Sequence, residues 1–158
     1  FDVSNAMSNP LKATKFGLPF RHVPTYLAGY YKYKAGDQFT EGGKPVNGKR
    51  DICDIYAIMY ETSESVPTLD GTNAFTSPNL ISTARINNAK ETNEWTYFKL
   101  PFTTLPGKFI DKEKLTMGKY NISIVFTSSL EGDHFNGAIG STLLIDEAEL
   151  IYRSDLDH

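Results

Sequence analysis

Apolar and polar residues alternate with period two along much of this chain. The cleanest run is 119–128. There Tyr120, Ile122, Ile124 and Phe126 fall on one face and Asn121, Ser123 and Thr127 on the other, which predicts a strand with its apolar face inward and its polar face outward. Residues 28–34 alternate likewise, with Tyr31 and Tyr33 on one face and Tyr30, Lys32 and Lys34 on the other. Apolar or alternating runs at 54–61, 80–86, 95–102 and 141–152 predict further strands, and Phe1-Asp2-Val3 also reads as strand. Helical spacing is sustained nowhere; 111–117 supports one or two turns at most.

Turn chemistry separates these runs. Gly36-Asp37, Gly42-Gly43, Asn47-Gly48, Asp70-Gly71, Ser77-Pro78, Pro106-Gly107 and Gly132-Asp133 supply it. Long strands at wide spacing, without helical crossovers, predict an all-β fold, an antiparallel β-sandwich. Long connections at 35–50 and 62–79 favour a jelly roll over an immunoglobulin fold. The 158 residues suit a single domain, 1–158, with a real core.

The net charge of −3 and the absence of any basic block argue against nucleic acid as a partner. No run of 18 apolar residues exists, so no helical membrane insertion is expected. Cys53 is the only cysteine, which excludes an internal disulfide and a cysteine-based zinc site, and a packed, inert thiol is expected. No signal peptide is visible, and the chain starts at Phe1 inside a strand-like run.

Candidate chemistry concentrates in a few places. Near the end, a glycine-rich loop at 132–141 runs into an apolar strand carrying Asp146 and Glu147. Period two puts these neighbours on opposite faces, and Asp146 shares parity with Ala148 and Leu150, so Asp146 is expected to point inward. A carboxylate there needs a partner. Asp146 is accordingly the candidate ligand of a structural calcium, the only cofactor considered. A glycoside hydrolase needs two opposed carboxylates, and Asp54 and Glu147 are the pair from two strands that would serve. Sugar recognition instead needs flat rings and a few polar groups; Tyr30, Tyr31, Tyr33, Tyr56, Tyr60, Trp95 and Tyr97 are the available rings, of which two or three are expected on a binding face. Lys32 and Arg85 are candidate donors on one concave face with Trp95, although core packing is the stronger reading of Trp95 from pattern alone. Arg21 and His22 follow the Pro19-Phe20 turn and could rim the same groove. Asp133 and His134 lie in the glycine-rich loop, where the backbone can approach a ligand closely. The substrate-binding set is therefore Arg21, Lys32, Arg85, Trp95, Asp133 and His134.

Three stretches carry a family resemblance. They are Phe16-Gly17-Leu18-Pro19-Phe20 continuing to Leu27-Ala28-Gly29-Tyr30-Tyr31-Lys32-Tyr33-Lys34-Ala35-Gly36; Asp54-Ile55-Tyr56-Ala57-Ile58-Met59-Tyr60-Glu61; and Phe126-Thr127-Ser128-Ser129 through Gly132-Asp133-His134-Phe135-Asn136-Gly137 to Asp146-Glu147. In these the chain resembles the putative carbohydrate metabolism domain family of Bacteroidetes surface proteins. The resemblance implies a jelly roll similar to galactose-binding and carbohydrate-binding modules. It also implies an extracytoplasmic location, at the cell surface or in the periplasm, often behind an upstream immunoglobulin-like domain. The partner it implies is a polysaccharide or oligosaccharide. Domains of that family begin upstream of Phe1, so the resemblance also implies that this chain is the C-terminal two-thirds or so of a jelly roll, with an N-terminal fragment or a second copy expected to pair its unpaired sheet edge by supplying the missing strand. A carbohydrate-binding domain is the first reading, with a jelly-roll glycoside hydrolase or lyase and a surface adhesion domain as rivals.

Overall fold

The alternating runs become strands, and the two longest are 12 residues each. The computed structural model describes residues 18–62, 75, 77–87, 89–130 and 136–153. Within them the strands are β1 (Leu18–Pro19), β2 (Val23–Lys34), β3 (Phe39–Glu41), β4 (Lys44–Val46), β5 (Asp54–Glu61), β6 (Leu80–Arg85), β7 (Thr92–Pro101), β8 (Thr103–Thr104), β9 (Tyr120–Thr127), β10 (Gly137–Ala138) and β11 (Thr142–Arg153); a short helix, α1 (Lys112–Thr116), precedes β9. The expected 111–117 turn is this helix. Asp111 caps it by accepting from the backbone N–H groups of Glu113 and Lys114.

All strand pairs are antiparallel. A five-stranded sheet runs β1-β9-β5-β6-β8 and a three-stranded sheet runs β11-β2-β7. The two sheets form a sandwich. Leu27, Tyr31 and Tyr33 of β2, Phe98 and Leu100 of β7, and Leu143 and Ile145 of β11 meet Ile55 and Ala57 of β5, Ala84 of β6 and Phe126 of β9 in one buried cluster. Cys53 belongs to that cluster, and burial pushes its thiol pKa up to about 12, so it is inert at neutral pH. At one end Leu115 of α1 closes the core against Met59, Ile81 and Tyr120.

The expected polar outer face of β9 differs from the finding. Tyr120, Ile122 and Phe126 are buried as expected, but so are Asn121, Ser123 and Val125 on the other face. β9 lies between β1 and β5, and β5 is itself buried from Asp54 to Tyr60. Tyr56, Ile58, Tyr60, Leu80 and Val125, joined by Leu105, form a second apolar cluster on the side away from the three-stranded sheet. The five-stranded sheet is thus apolar on both sides, which period-two reading of β9 alone does not reveal.

The connection at 35–50 also carries its own structure. β3 and β4 form a hairpin around Gly42 and Gly43, both with positive φ, and β10 adds to it as a third strand. Asp51, buried beside this small sheet, gathers the surrounding chain. Its Oδ2 accepts from the Ser141 hydroxyl at 2.7 Å, the Ala138 backbone N–H at 3.0 Å and the Ser129 hydroxyl at 2.5 Å. Gly36 completes the contact, because a Cβ there would lie 2.1 Å from the Ile139 carbonyl oxygen.

The expected alternation fails at Asp146 and Glu147. Both are exposed. Two residues, Glu147 and Ala148, stand opposite Gly29 between the pairs Asp146–Tyr30 and Glu149–Ala28. This bulge reverses the parity of everything after it. Leu143 and Ile145 point into the core before it and Leu150 pairs with the buried Leu27 after it, so Asp146 cannot inherit Leu150's direction. Glu147 takes φ 52° to make the turn, and Asp146 Oδ1 accepts its backbone N–H at 2.9 Å. Gly29 admits the extra residue: a Cβ there would meet the Phe98 ring at 2.9 Å and the Ala148 Cα at 3.2 Å.

Candidate functional site

Two aromatic clusters with basic side chains stand on opposite outer faces of the sandwich. The first belongs to the three-stranded sheet. Tyr31 and Tyr33 face the core, so Tyr30 and Lys32 face outward. On the neighbouring strand β7, Phe98 and Leu100 are core, so Tyr97 and Lys99 face outward too. The register jumps between the pairs Tyr31–Thr96 and Tyr33–Thr92, where Thr92 bonds to Glu94 and Thr96. Trp95 emerges from this irregularity onto the outer face, 44% exposed, with Tyr97 at 54%. The ammonium of Lys32 stands 4.7 Å above the Trp95 ring, that of Lys99 stands 4.4 Å above Tyr26, and the Tyr30 and Tyr97 rings are 5.2 Å apart. Core packing of Trp95 is therefore overturned: Trp95 shares the parity of Tyr97 and Lys99, opposite to that of the core residues Phe98 and Leu100, and so lies on the outer face.

The second cluster lies on the five-stranded sheet. Tyr56 and Arg85 are directly paired across β5 and β6, so their side chains share a face, and Asp54 shares it by alternation. Asp54 is buried, and its carboxylate accepts from Arg85 Nη2 at 2.7 Å and Nε at 3.2 Å. Burial pushes the Asp54 carboxyl above the ordinary carboxylate range, and the Arg85 guanidinium pulls it back only in part. The guanidinium also lies 4.2 Å from the Phe75 ring and 5.6 Å from the Tyr56 ring.

The sequence-derived candidates are thus divided. Lys32 and Trp95 come together. Arg85 does not join them, because it points away from the core on the other sheet. Asp54 and Glu147 are likewise on different sheets, Asp54 held by Arg85 and Glu147 exposed in the β11 bulge. Arg21 is exposed and lies against Gly118 after α1, and His22 stacks on Tyr152 with ring centroids 4.5 Å apart. Both sit at the Glu61 end of β5, since Phe20 bonds to Tyr120, the partner of Glu61. Asp133 and His134 lie outside the described residues. Among the described residues no group of three or more His, Cys, Asp and Glu side chains is placed to hold a metal, Asp146 included. No described helix is long and apolar enough to cross a membrane.

Two residues that matter here, Asp51 and Phe75, carry no signal in the sequence pattern. Asp51 was unsignalled because its partners come from residues 129–141, far along the chain. Tyr97 is among the candidate rings of the sequence, and the structure shows it to be one of the exposed ones, whereas a loop phenylalanine such as Phe75 carries no mark of which way it points. Asp51 had one available clue: a carboxylate between a turn-rich segment and an apolar strand must be satisfied by something.

With this geometry in hand, residues 1–151 match the putative carbohydrate metabolism domain family. The chain belongs to that family. It is 89% identical, with a TM-score of 0.88 over 98% of its length, to the crystal structure of a putative glycoside hydrolase from Bacteroides thetaiotaomicron, of which it covers 46%. It is 48% identical, with a TM-score of 0.82 over 97% of its length, to a putative glycoside hydrolase from Bacteroides vulgatus, of which it covers 61%. The chain therefore spans about half to three fifths of these structures. No curated protein matches it closely enough to show kinship. The family expected from the three sequence stretches is the one found, and it gives the chain a carbohydrate-related role.

Proposed function

We propose that this domain binds carbohydrate, as a jelly-roll-type module, on the outer face of β2 and β7. The observation that carries this reading is the exposed pair Trp95 and Tyr97, with Tyr30 and Lys32 beside them. Rings two residues apart on one strand face are about 7 Å apart at their backbones. Such rings offer flat apolar surface to the C–H faces of successive sugar units. The Lys32 ammonium adds donors for hydroxyl groups at the edge of the rings. Exposed aromatic side chains of this size are otherwise a liability on a soluble surface, and a ligand is their simplest use.

Hydrolysis by this chain is the less favoured reading. It requires two carboxylates about 5 Å or about 6.5–9.5 Å apart. Asp54 is neutralised by Arg85, and Glu147 lies on the other sheet. The solved relatives named as putative glycoside hydrolases support a sugar-recruiting role for this domain in extracytoplasmic carbohydrate processing.

Calorimetric titration against a panel of oligosaccharides tests the reading. Trp95→Ala is expected to weaken binding by about 1–2 kcal/mol. The same variant should keep its melting temperature, because the ring is exposed. Unchanged affinity in both Trp95→Ala and Tyr97→Ala would refute the assignment.

A further inference from the structure

We infer that Arg85 and Phe75 form a second carbohydrate contact, on the outer face of the five-stranded sheet, suited to the hydroxyl groups of a neutral pyranose. This contact is independent of the β2–β7 face, since the two point in opposite directions from the core.

Arg85 differs from an ordinary surface arginine in three respects. First, its fork is fixed. Nε and Nη2 both donate to Asp54, one to each carboxylate oxygen, and Asp54 is buried. Second, two rings in edge contact with each other, 4.8 Å between centroids, flank it on one side, with Phe75 at 4.2 Å and Tyr56 at 5.6 Å. Third, its side chain stays 42% exposed although its partner is only 5% exposed. Nη1 takes no part in the pair, and its two N–H groups have no partner among the described residues. The donors are therefore held in place before any ligand arrives, which removes much of the ordering cost of using a long side chain.

The ligand class follows from the charge. Asp54 and Arg85 neutralise each other, so an anionic sugar gains little long-range attraction here. Neutral hydroxyl oxygens can accept from the fixed Nη1 donors. Phe75 is 38% exposed and supplies the flat apolar surface that a pyranose needs beside its hydroxyls. Asp54 acts as a positioning residue, not as a contact. A domain with one contact on each outer face would hold two glycan segments at once, raising avidity toward a polysaccharide.

Calorimetry with cello-, xylo-, manno- and arabinohexaose, with polygalacturonate as the acidic control, decides the matter. At least one neutral hexaose should bind the native domain at two sites. Arg85→Lys, which keeps the charge and loses the fork, should weaken one of them about tenfold or more, and Trp95→Ala should weaken the other. Phe75→Ala serves as a second variant in case Arg85→Lys is unstable. The Arg85 side-chain Nε–Hε NMR resonance should move on titration of the native domain. If only one site is present and it vanishes in Arg85→Lys but not in Trp95→Ala, this inference stands and the β2–β7 reading fails. If the Arg85 resonance stays still with every hexaose, or binding survives both Arg85→Lys and Phe75→Ala, the inference is overturned. Preferred binding of polygalacturonate at this site overturns the neutral assignment.

Discussion

The two sheets of the sandwich share a core and differ on their outer faces. The five-stranded sheet buries much of its outer face: Ile58 and Tyr60 are nearly inaccessible there, and the ion pair Asp54–Arg85 has its carboxylate out of water. The three-stranded sheet leaves its outer face wet, with Trp95 and Tyr97 about half exposed and lysines lying over rings. Similar residue types thus do different work. Aliphatic and aromatic side chains around Ile58 and Tyr60 stabilise the fold, whereas the rings on the outer face of the three-stranded sheet, like Phe75 beside Arg85, are free to meet a ligand. The lesson is that strand periodicity identifies two faces but not which of them is covered.

The largest test of this contrast is a pair of truncations. Ile58→Ala, on the covered face, is expected to destabilise the domain by about 2–5 kcal/mol in denaturant unfolding. Tyr97→Ala, on the open face, removes a larger side chain and should cost only about 0.5 kcal/mol. Equal costs would dissolve the distinction between the faces. Next in size is Asp51→Ala. It strips a shared acceptor from Ser129, Ala138 and Ser141, and a loss of about 2–3 kcal/mol is expected on chemical denaturation.

A pH series sharpens the contrast further. The Asp54 carboxyl titrates above the ordinary carboxylate range because of its burial. Its protonated form is thus favoured by folding. The associated stabilisation is fully present below the ordinary carboxylate pKa and is lost as pH rises through the raised value. Asp54→Asn should flatten that part of the stability profile, followed by thermal melting across the acidic range. An unchanged slope would mean that Asp54 is better solvated than its position on the covered face requires. The smallest expected effect is at the β11 bulge. Glu147 adopts φ 52°, a conformation that glycine takes without strain. Glu147→Gly should raise stability by about 0.5 kcal/mol, seen as a small increase in melting temperature.

Much of the fold was legible in the sequence because the strands that build the core alternate cleanly. Tyr31 and Tyr33 against Lys32 and Lys34 is the plainest case, and the short helix at 112–116 falls within the one or two turns expected at 111–117. The candidate site was less legible. Lys32 and Trp95 were paired correctly, but Arg85 was assigned to the same face, since nothing in a strand's own pattern says which sheet it will join. Asp146 was assigned inward because parity was counted through a bulge. That bulge depends on Gly29, more than a hundred residues earlier, which lets Ala148 approach the opposing backbone. Each miss arises where a direction is set by a distant partner.

The Asp51 carboxylate has a consequence for how relatives of this domain can diverge. One side chain holds Ser129 at the exit of β9 and Ala138 and Ser141 at the entry to β11. Gly137 is fixed between them, since a Cβ there would lie 2.9 Å from the Ser129 hydroxyl, but the rest of the sequence between those anchors can change in length or composition without moving them. Doubling a loop adds only about 0.6 kcal/mol of closure entropy. Asp51 therefore works as the clasp of an exchangeable cassette: a new loop sequence can be tried between fixed ends while the sandwich beneath it stays as it is.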